Sequence, residues 1–287
     1  MTPVSIVVPA FNAERTIEDA VRSLLALRYA GEVEIIVVDN GSVDATASIL
    51  MRYQNRIRVV GEKRRGRSAA RNAGLRAANH PAVAFIDADC QAAPEWLSNL
   101  IPRLAEPGVG IAGGRILASR PCNAVEEFGE WLHDHARAIE VCRPPYATTA
   151  NWASPRTVLL DMGGFDETLR RCEDCDLSYR ILQAGYRIVY EDRAVVSHRN
   201  HPTRYALFRE GFDNGFHSVP AIAKHAAFLS QYGHSGVQFH RYRKLAANLG
   251  RMLSARGNER LGFETVFEAG KCTGKICGSL RFGRLEL

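Results

Sequence analysis

Apolar runs and amphipathic stretches alternate along the first third of the chain. Residues 4–8 form an apolar run typical of a buried parallel strand, and further strands are predicted at residues 33–38, 57–60 and 83–86. Helical patterning separates them, in residues 14–27, in a stretch beginning near residue 44, and in residues 67–78. This repetition predicts right-handed crossovers and a mainly parallel, Rossmann-like sheet with helices on both faces.

The pattern is less regular after residue 90. It predicts helices at residues 94–104, 123–138 and 173–184, and strands at residues 109–113, 187–190 and 194–197. Beyond about residue 203 it is helical and amphipathic, and no stretch approaches the roughly 18 apolar residues that span a bilayer. We therefore expect an α/β domain over residues 1–200 and a helical C-terminal extension over residues 201–287.

The composition is that of an ordinary globular protein. The 287 residues are 46% hydrophobic, 24% charged and 8% aromatic, with a mean hydropathy of −0.18, which argues against disorder and coiled coil. The first residues carry neither the basic segment nor the cleavage site of a secretory leader. Seven cysteines cannot all pair within one chain, so a cytoplasmic location with reduced thiols is the simplest expectation.

The net charge of +6 is concentrated at the C-terminal end. Residues 240–287 contain ten Lys/Arg and four Glu, which leaves residues 1–239 neutral overall. A basic segment favours anionic partners such as lipid head groups, nucleic acid or an acidic face of another subunit. Solvated helix faces without a partner are the alternative. We expect no nucleic-acid partner; an oligomer, and peripheral contact of residues 240–287 with the inner face of a membrane, are hypotheses.

Polar residues follow three of the predicted strands, in residues 9–12, 39–42 and 87–89. Because ligands bind beyond the carboxyl ends of the strands in such sheets, these segments predict a single site. Asp87 and Asp89 could share Mg²⁺ or Mn²⁺ with a ribose or phosphate, since oxygen ligands suit these ions. Turn and helix-capping chemistry is the alternative. A zinc site could in principle use two cysteine pairs, Cys172 with Cys175 and Cys272 with Cys277. It is not favoured, because the spacing of the second pair is loose for zinc.

Six motifs follow one another in a characteristic order and spacing. They are Pro9-Ala10-Phe11-Asn12, Asp39-Asn40-Gly41-Ser42, Gly66-Arg67-Ser68-Ala69-Ala70-Arg71-Asn72-Ala73-Gly74, Asp87-Ala88-Asp89, Gly163-Gly164-Phe165-Asp166-Glu167 and Glu173-Asp174. In this order they resemble the large inverting glycosyltransferase family 2, over about residues 3–200. The resemblance implies the GT-A fold, with a nucleotide-binding part in residues 1–113 and an acceptor-binding, catalytic part in residues 114–200.

The resemblance also implies roles for single residues around a nucleotide. Asp39 would read the edge of the nucleobase, and Arg71 would help to hold the nucleotide. The remaining pocket residues would be Pro9, Ala10, Phe11, Glu14 and Arg67, although Arg67 could instead belong to a solvated basic turn. Trp152 could stack on a sugar ring or pack in the core, and both interpretations stay open.

At the reacting centre, the resemblance makes Asp89 a direct ligand of Mn²⁺ or Mg²⁺ and His198 a further metal contact. Asp87 would meet the ribose or the water shell of the metal. Asp174 matches the catalytic base, which the chemistry needs because a sugar hydroxyl is a poor nucleophile near pH 7. Glu173 would orient Asp174 or accept a hydrogen bond from the acceptor. Without the resemblance, Asp174 would be interpreted as an acid favoured at a helix N-terminus.

The expected activity is therefore transfer of one sugar from a nucleotide-sugar, foremost a UDP-sugar, by metal-assisted single displacement with inversion. The acceptor would be a hydroxyl of a sugar, a lipid-linked sugar or a small molecule. The Gln-x-x-Arg-Trp element of processive synthases is absent, which favours one sugar per encounter. The alternatives are a non-catalytic nucleotide-sugar binding protein and a sugar-phosphate nucleotidyltransferase. The latter usually has a glycine-rich basic loop that residues 9–12 do not provide.

Overall fold

The computed structural model describes residues 1–234, 239–254 and 258–285 of the chain. The strands are β1 (Val4–Ala10), β2 (Val33–Asp39), β3 (Arg58–Gly61), β4 (Ala82–Phe85), β5 (Cys90–Ala92), β6 (Val109–Ala118), β7 (Trp152–Pro155) and β8 (Arg187–His198). The α-helices are α1 (Ile17–Leu25), α2 (Thr46–Met51), α3 (Arg67–Ala77), α4 (Trp96–Leu100), α5 (Ala124–Leu132), α6 (Arg156–Asp161), α7 (Glu173–Gln183), α8 (Arg204–Lys224), α9 (Ala226–Ser230), α10 (Phe239–Leu253) and α11 (Glu259–Phe282).

Across the described residues the strands form one mixed sheet in the order β3-β2-β1-β4-β7-β6-β8-β5. Neighbours within β3-β2-β1-β4 are parallel, as are β6 and β8. Strand β7 runs antiparallel to both β4 and β6, and β5 runs antiparallel to β8. The predicted α/β class is confirmed, and parallel pairing is continuous only over the first four strands. The antiparallel strands β5 and β7 were not predicted, because each has only three or four residues.

The core lies on both faces of the sheet. Along β1, Ile6 and Val8 pack with Ile17 of α1 in one cluster, whereas Val7 packs with Ala70 of α3 in the other. This alternation explains why apolar residues occupy successive positions of the strand rather than every second one, with buried Ser5 as the exception. Helix α3 approaches β1 closely: a Cβ added at Gly74 would lie 2.2 Å from Val7 Cγ1. The close contact fixes α3, and with it Arg71, against the sheet.

Two stretches differ from the predicted elements. The predicted helix over residues 123–138 is interrupted, since α5 ends at Leu132 and a separate π-helical turn covers Arg137–Val141. The two strands predicted at residues 187–190 and 194–197 are one strand, β8, whose pairing with β6 shifts register between Gly114 and Arg115. Such a bulge inserts unpaired residues without ending the strand, so the polar residues 191–193 look like a turn in the sequence.

The chain divides into two compact units. The first comprises Met1–Ser119, His133–Thr168 and Glu173–Arg199, and the second comprises Arg120–Leu132, Leu169–Cys172 and Asn200–Leu287. In the second unit, α8 and α11 run parallel with their backbones in contact: a Cβ added at Gly215 would lie 2.1 Å from the carbonyl oxygen of Lys271. Among the described residues, no helix combines the length and hydrophobicity that a membrane span requires.

Candidate active site

The loops that follow β1 and β2 are tied together at the carboxyl edge of the sheet. The Asn12 backbone N–H donates to Ser42 Oγ at 3.0 Å, and the Val43 N–H donates to Asn12 Oδ1 at 2.9 Å. Asp39 ends β2, is half-buried, and accepts a hydrogen bond from the Ser42 N–H at 3.0 Å. The predicted contact of Asp39 with a nucleobase stays a prediction.

The other predicted nucleotide-pocket residues lie at the same edge with different exposures. Ala10 is buried and Pro9 half-buried, whereas Glu14 and Arg67 are exposed. Glu14 Oε2 accepts a hydrogen bond from the Ala45 N–H at 3.0 Å, so it also braces the loop before α2. Phe11 is 48% exposed, with a nearby arginine, Arg65, whose guanidinium carbon lies 5.5 Å from the ring centroid. Their roles in nucleotide binding stay predictions.

One buried guanidinium joins the two acidic motifs. Arg71 is 1% exposed; its Nη2 donates to Asp87 Oδ1 at 2.8 Å and its Nη1 donates to Glu173 Oε1 at 2.6 Å. Burial alone would raise the pKa of Asp87, but the positive charge of Arg71 holds that pKa below its ordinary value. Both terminal nitrogens of Arg71 are thus engaged by carboxylates, which favours a positioning role over the predicted contact with the nucleotide.

The side-chain amide of Asn72 in α3 binds the loop that precedes α7. Asn72 Oδ1 accepts from the Phe165 N–H at 2.8 Å, and Asn72 Nδ2 donates to the Phe165 carbonyl at 2.8 Å. Gly164 has φ +73°, and a Cβ there would lie 2.5 Å from Asn72 Oδ1. From the other side, Arg180 of α7 donates to the Gly164 carbonyl at 2.8 Å and pairs with the fully buried Asp176. These contacts explain why the motifs around residues 66–74 and 163–167 occur together.

The surroundings of Asp174 raise its pKa. It is half-buried in the first turn of α7, and its Oδ1 accepts a hydrogen bond from the Cys175 N–H at 2.8 Å. Burial, and then the negative charge of neighbouring Glu173, raise the pKa of Asp174 from 3.8 to about 6. Glu173 itself is 3% exposed and committed to Arg71, which favours the predicted orienting role over direct contact with an acceptor.

Asp89 and His198 form a candidate metal site. His198 Nε2 lies 3.6 Å from Asp89 Oδ1, and the pairing of β5 with β8 places His198 opposite Cys90. Within the described part of the chain, Asp89, Cys90 and His198 are the one group of three His, Cys, Asp or Glu ligand atoms close enough to share an ion. A carboxylate and an imidazole fit Mn²⁺ well, because this ion accepts both oxygen and nitrogen ligands. Burial raises the pKa of the Cys90 thiol well above its ordinary value, so it stays protonated.

Trp152 belongs to the core. It is 1% exposed, and its ring stacks on Phe85 at 5.3 Å between centroids with an interplanar angle of 26°. A ring enclosed in this way presents no face to a sugar, which corrects its assignment to ligand binding and supports the core alternative. The four cysteines considered for zinc, Cys172, Cys175, Cys272 and Cys277, form no disulfide and no such ligand group among the described residues.

Sequence reasoning missed the contacts of Asn72 and Arg180, which hold the loop before α7, and the buried histidine His135. Asn72 lies in the third motif, but its partner Phe165 is 93 positions away. Arg180 pairs with Asp176 one turn earlier, and its contact with the Gly164 carbonyl, 16 positions away, has no local sequence pattern. His135 is buried: its Nδ1 donates to the Gly114 carbonyl at 2.7 Å and its Nε2 accepts from the Thr148 N–H at 2.9 Å. Burial lowers the pKa of His135 to about 4, so the ring is neutral and can donate one hydrogen bond while accepting the other.

The family follows from a comparison with known proteins. A model described as glycosyl transferase family 2 matches residues 5–161, more than half of the chain. The chain belongs to glycosyl transferase family 2. A pre-mycofactocin glycosyltransferase of Mycobacterium tuberculosis is similar to it, with 32% identity over 235 residues that cover 77% of this chain. The chain spans about half of that relative, since the match covers 48% of its length.

Solved structures show the GT-A fold. A mannosyltransferase from Pyrobaculum calidifontis, solved with GDP-Man and Mn²⁺, aligns with a TM-score of 0.72 and 22% identity, covering 96% of this chain and 86% of its own. Glucosyl-3-phosphoglycerate synthase of Mycobacterium tuberculosis, solved with Mn²⁺, UDP and phosphoglyceric acid, aligns with a TM-score of 0.52 and 25% identity. That alignment covers 70% of this chain and 72% of the synthase. The predicted family and fold are thereby confirmed.

Proposed function

We propose that this family 2 member transfers a single sugar from a nucleotide-sugar to a hydroxyl acceptor with inversion at the anomeric carbon. The observation that carries the proposal is the Arg71 bridge, whose two hydrogen bonds connect Asp87 with Glu173. Asp87 lies two residues from the candidate metal ligand Asp89, and Glu173 directly precedes Asp174. One guanidinium thus holds the donor motif and the candidate base next to each other.

Asp174 acts as the general base in this proposal. The acceptor hydroxyl gives its proton to a carboxylate oxygen of Asp174 as its own oxygen forms the bond to the anomeric carbon. The bond from that carbon to the diphosphate oxygen breaks, and its electron pair leaves with the nucleoside diphosphate. With a pKa of about 6, Asp174 is mostly ionised at pH 7 yet more basic than an ordinary aspartate.

A single displacement fits the carboxylates that the site offers. A retaining reaction through a glycosyl-enzyme would need a second carboxylate free to attack the sugar. Glu173 is enclosed and bonded to Arg71, and Asp87 is bonded to the other arm of the same guanidinium. Both are better suited to holding Asp174 and the ribose in place. When bound at Asp89 and His198, Mn²⁺ or Mg²⁺ would offset the charge that develops on the leaving diphosphate.

We propose a UDP-sugar as the donor, with a GDP-sugar as the alternative. The carboxylate of Asp39 can accept a hydrogen bond from an N–H of either uracil or guanine. Of the two structural neighbours, the mannosyltransferase was solved with GDP-Man and the synthase with UDP. The carboxylate of Asp39 does not distinguish the two bases, so the donor must be decided by measurement. Thermal-shift titrations with UDP and GDP, each with Mn²⁺, rank the two, because a ligand that binds the native state stabilises it.

The proposed activity is tested with UDP-sugars and GDP-sugars in the presence of Mn²⁺, by following release of the nucleoside diphosphate. We expect turnover by the wild type and a loss of about 10²–10⁴-fold in Asp174→Asn, which lacks the base. The variant should keep nucleotide-dependent thermal stabilisation. Asp161→Asn, an exposed change on α6, is the matched control and should behave as the wild type. Unchanged turnover in Asp174→Asn, or nucleotide binding without turnover in the wild type, would contradict the proposal.

A further inference from the structure

A stripe of residues four apart runs along α11. Successive members are neighbours on the helix surface, because a step of four residues leaves a drift of only about 40°, and over its whole length the stripe therefore winds around α11. We define this stripe as Glu264, Glu268, Cys272, Ile276 and Leu280. The chemistry changes along it, from two carboxylates through a thiol to two large aliphatic side chains.

Helix α10 covers the first part of this stripe. Lys244 Nζ lies 2.5 Å from Glu264 Oε1, and Arg241 Nη1 lies 4.0 Å from Glu268 Oε2. Cys272 is 5% exposed. These three positions of α11 are thus occupied by contacts within the second unit.

Beyond Cys272 the stripe is open to solvent. Ile276 is 42% exposed and Leu280 is 81% exposed. Helix α8 contacts the face of α11 that carries Gly274 and Gly278, since a Cβ added at these glycines would lie 2.1 and 2.6 Å from the α8 backbone. Ile276 is two residues, or about 200° of helix rotation, from each of these glycines. It therefore points away from α8, and Leu285, just after the helix, is a further large apolar residue at 67% exposure.

The open end of the stripe is strongly basic. Arg281 and Arg284 flank Leu280 and Leu285 and are exposed. Residues 269–285 contain four Lys/Arg and no Asp or Glu, between Glu268 and Glu286. Of these four cations Lys275 is only 3% exposed, whereas Arg281 and Arg284 are exposed. The exposed aliphatic side chains thus stand beside two exposed guanidinium groups.

We propose that this basic apolar patch, formed by Ile276, Leu280, Arg281, Arg284 and Leu285, docks on an anionic lipid surface. The aliphatic side chains enter the boundary between head groups and acyl chains, while the guanidinium groups bind lipid phosphates. A second copy of this chain is disfavoured, because a two-fold interface on the patch would bring its arginines against one another. The proposal goes beyond sugar transfer and does not depend on it.

The test is flotation of the full chain with vesicles of phosphatidylcholine alone or mixed with phosphatidylglycerol. We expect the wild type to float with the mixed vesicles only and to be released by high salt. Arg281→Gln and Arg284→Gln should each lower the partition coefficient about fivefold. Ile276→Gln with Leu280→Gln should abolish flotation, and the folded state of each variant is checked by circular dichroism.

Val141→Gln is the matched control, because Val141 is 67% exposed but belongs to the first unit. It should float as the wild type does. Equal flotation of the patch variants and the wild type would overturn the proposal, as would equal recovery with neutral vesicles. A lipid-free wild-type dimer that Leu280→Gln dissociates in light scattering would overturn it in favour of a second copy of this chain.

Discussion

Replacing Asp174 with Asn is expected to stabilise the protein at neutral pH while removing its activity. The folded protein raises the pKa of Asp174 from 3.8 to about 6, first through burial and then through the charge of Glu173. Above pH 6 the folded state must therefore hold an ionised carboxylate in a place that disfavours it. Asn has nearly the same shape, carries no charge, and offers an oxygen that can still accept the hydrogen bond from the Cys175 N–H.

The size of the gain follows from the pKa difference. A difference of about two units, at about 1.4 kcal/mol per unit, corresponds to about 3 kcal/mol in the free energy of unfolding. Because Asp174 is only half-buried, screening by solvent reduces this, and we expect a gain of about 1–3 kcal/mol. The folded state binds the proton more tightly than the unfolded state, so wild-type stability falls as the pH rises from about 4 to about 6. Above that range the difference between variant and wild type is constant.

Urea denaturation at a series of pH values measures this directly. The difference between Asp174→Asn and the wild type should be near zero at about pH 4, grow as the pH rises, and level off above about pH 6. Asp161→Asn, which replaces an exposed carboxylate in the same unit, should show no such growth. A difference that is independent of pH, or a less stable Asp174→Asn protein at pH 8, would refute the assignment of a raised pKa to this residue.

Four further outcomes are expected. Turnover of the wild type should fall about tenfold per pH unit below a midpoint near 6, as Asp174 becomes protonated; a flat profile down to pH 5 would exclude it as the base. Arg71→Met should lower the free energy of unfolding by about 3–5 kcal/mol in urea melts, because two carboxylates lose their buried partner; a loss below about 1 kcal/mol would contradict the bridge. Gly164→Ala should cost about 1–3 kcal/mol, from its positive φ and the contact with Asn72, and a neutral effect in the same assay would show that the loop yields. Asp89→Asn should abolish the Mn²⁺-dependent part of nucleotide-induced thermal stabilisation; an unchanged Mn²⁺ effect would place the metal elsewhere.

The parts of the fold predicted from the sequence are those with strong local patterns. Strand β1 and its parallel neighbours β2 and β4 are enclosed on both faces, so they appear as mainly apolar runs. Strand β7 has four residues, Trp152–Pro155, and its partners β4 and β6 decide its conformation. No periodicity can develop over so short a segment. Trp152 shows the same limit, because whether a tryptophan faces ligand or core depends on packing against residues such as Phe85.

The motifs of the candidate site could be found in the sequence, but their connections could not. Spacing and order located Asp87, Asp89 and Asp174 without any knowledge of distances. The hydrogen bond from Arg71 to Glu173 joins residues 102 positions apart, and its existence depends on how α3 and α7 pack on the same face of the sheet. This is why Arg71 was predicted to contact the nucleotide, whereas the structure engages both of its terminal nitrogens with carboxylates.

The most direct test of the central claim is a crystal structure of the protein with Mn²⁺ and an unreactive UDP-sugar analogue. The claim is that Asp89 and Asp174 act on opposite sides of the same sugar. We expect an anomalous manganese peak at Asp89 and His198, the diphosphate beside it, and the Asp174 carboxylate facing the anomeric carbon from the side away from the diphosphate. A metal bound at other residues, or a sugar whose anomeric carbon is turned away from Asp174, would contradict the account.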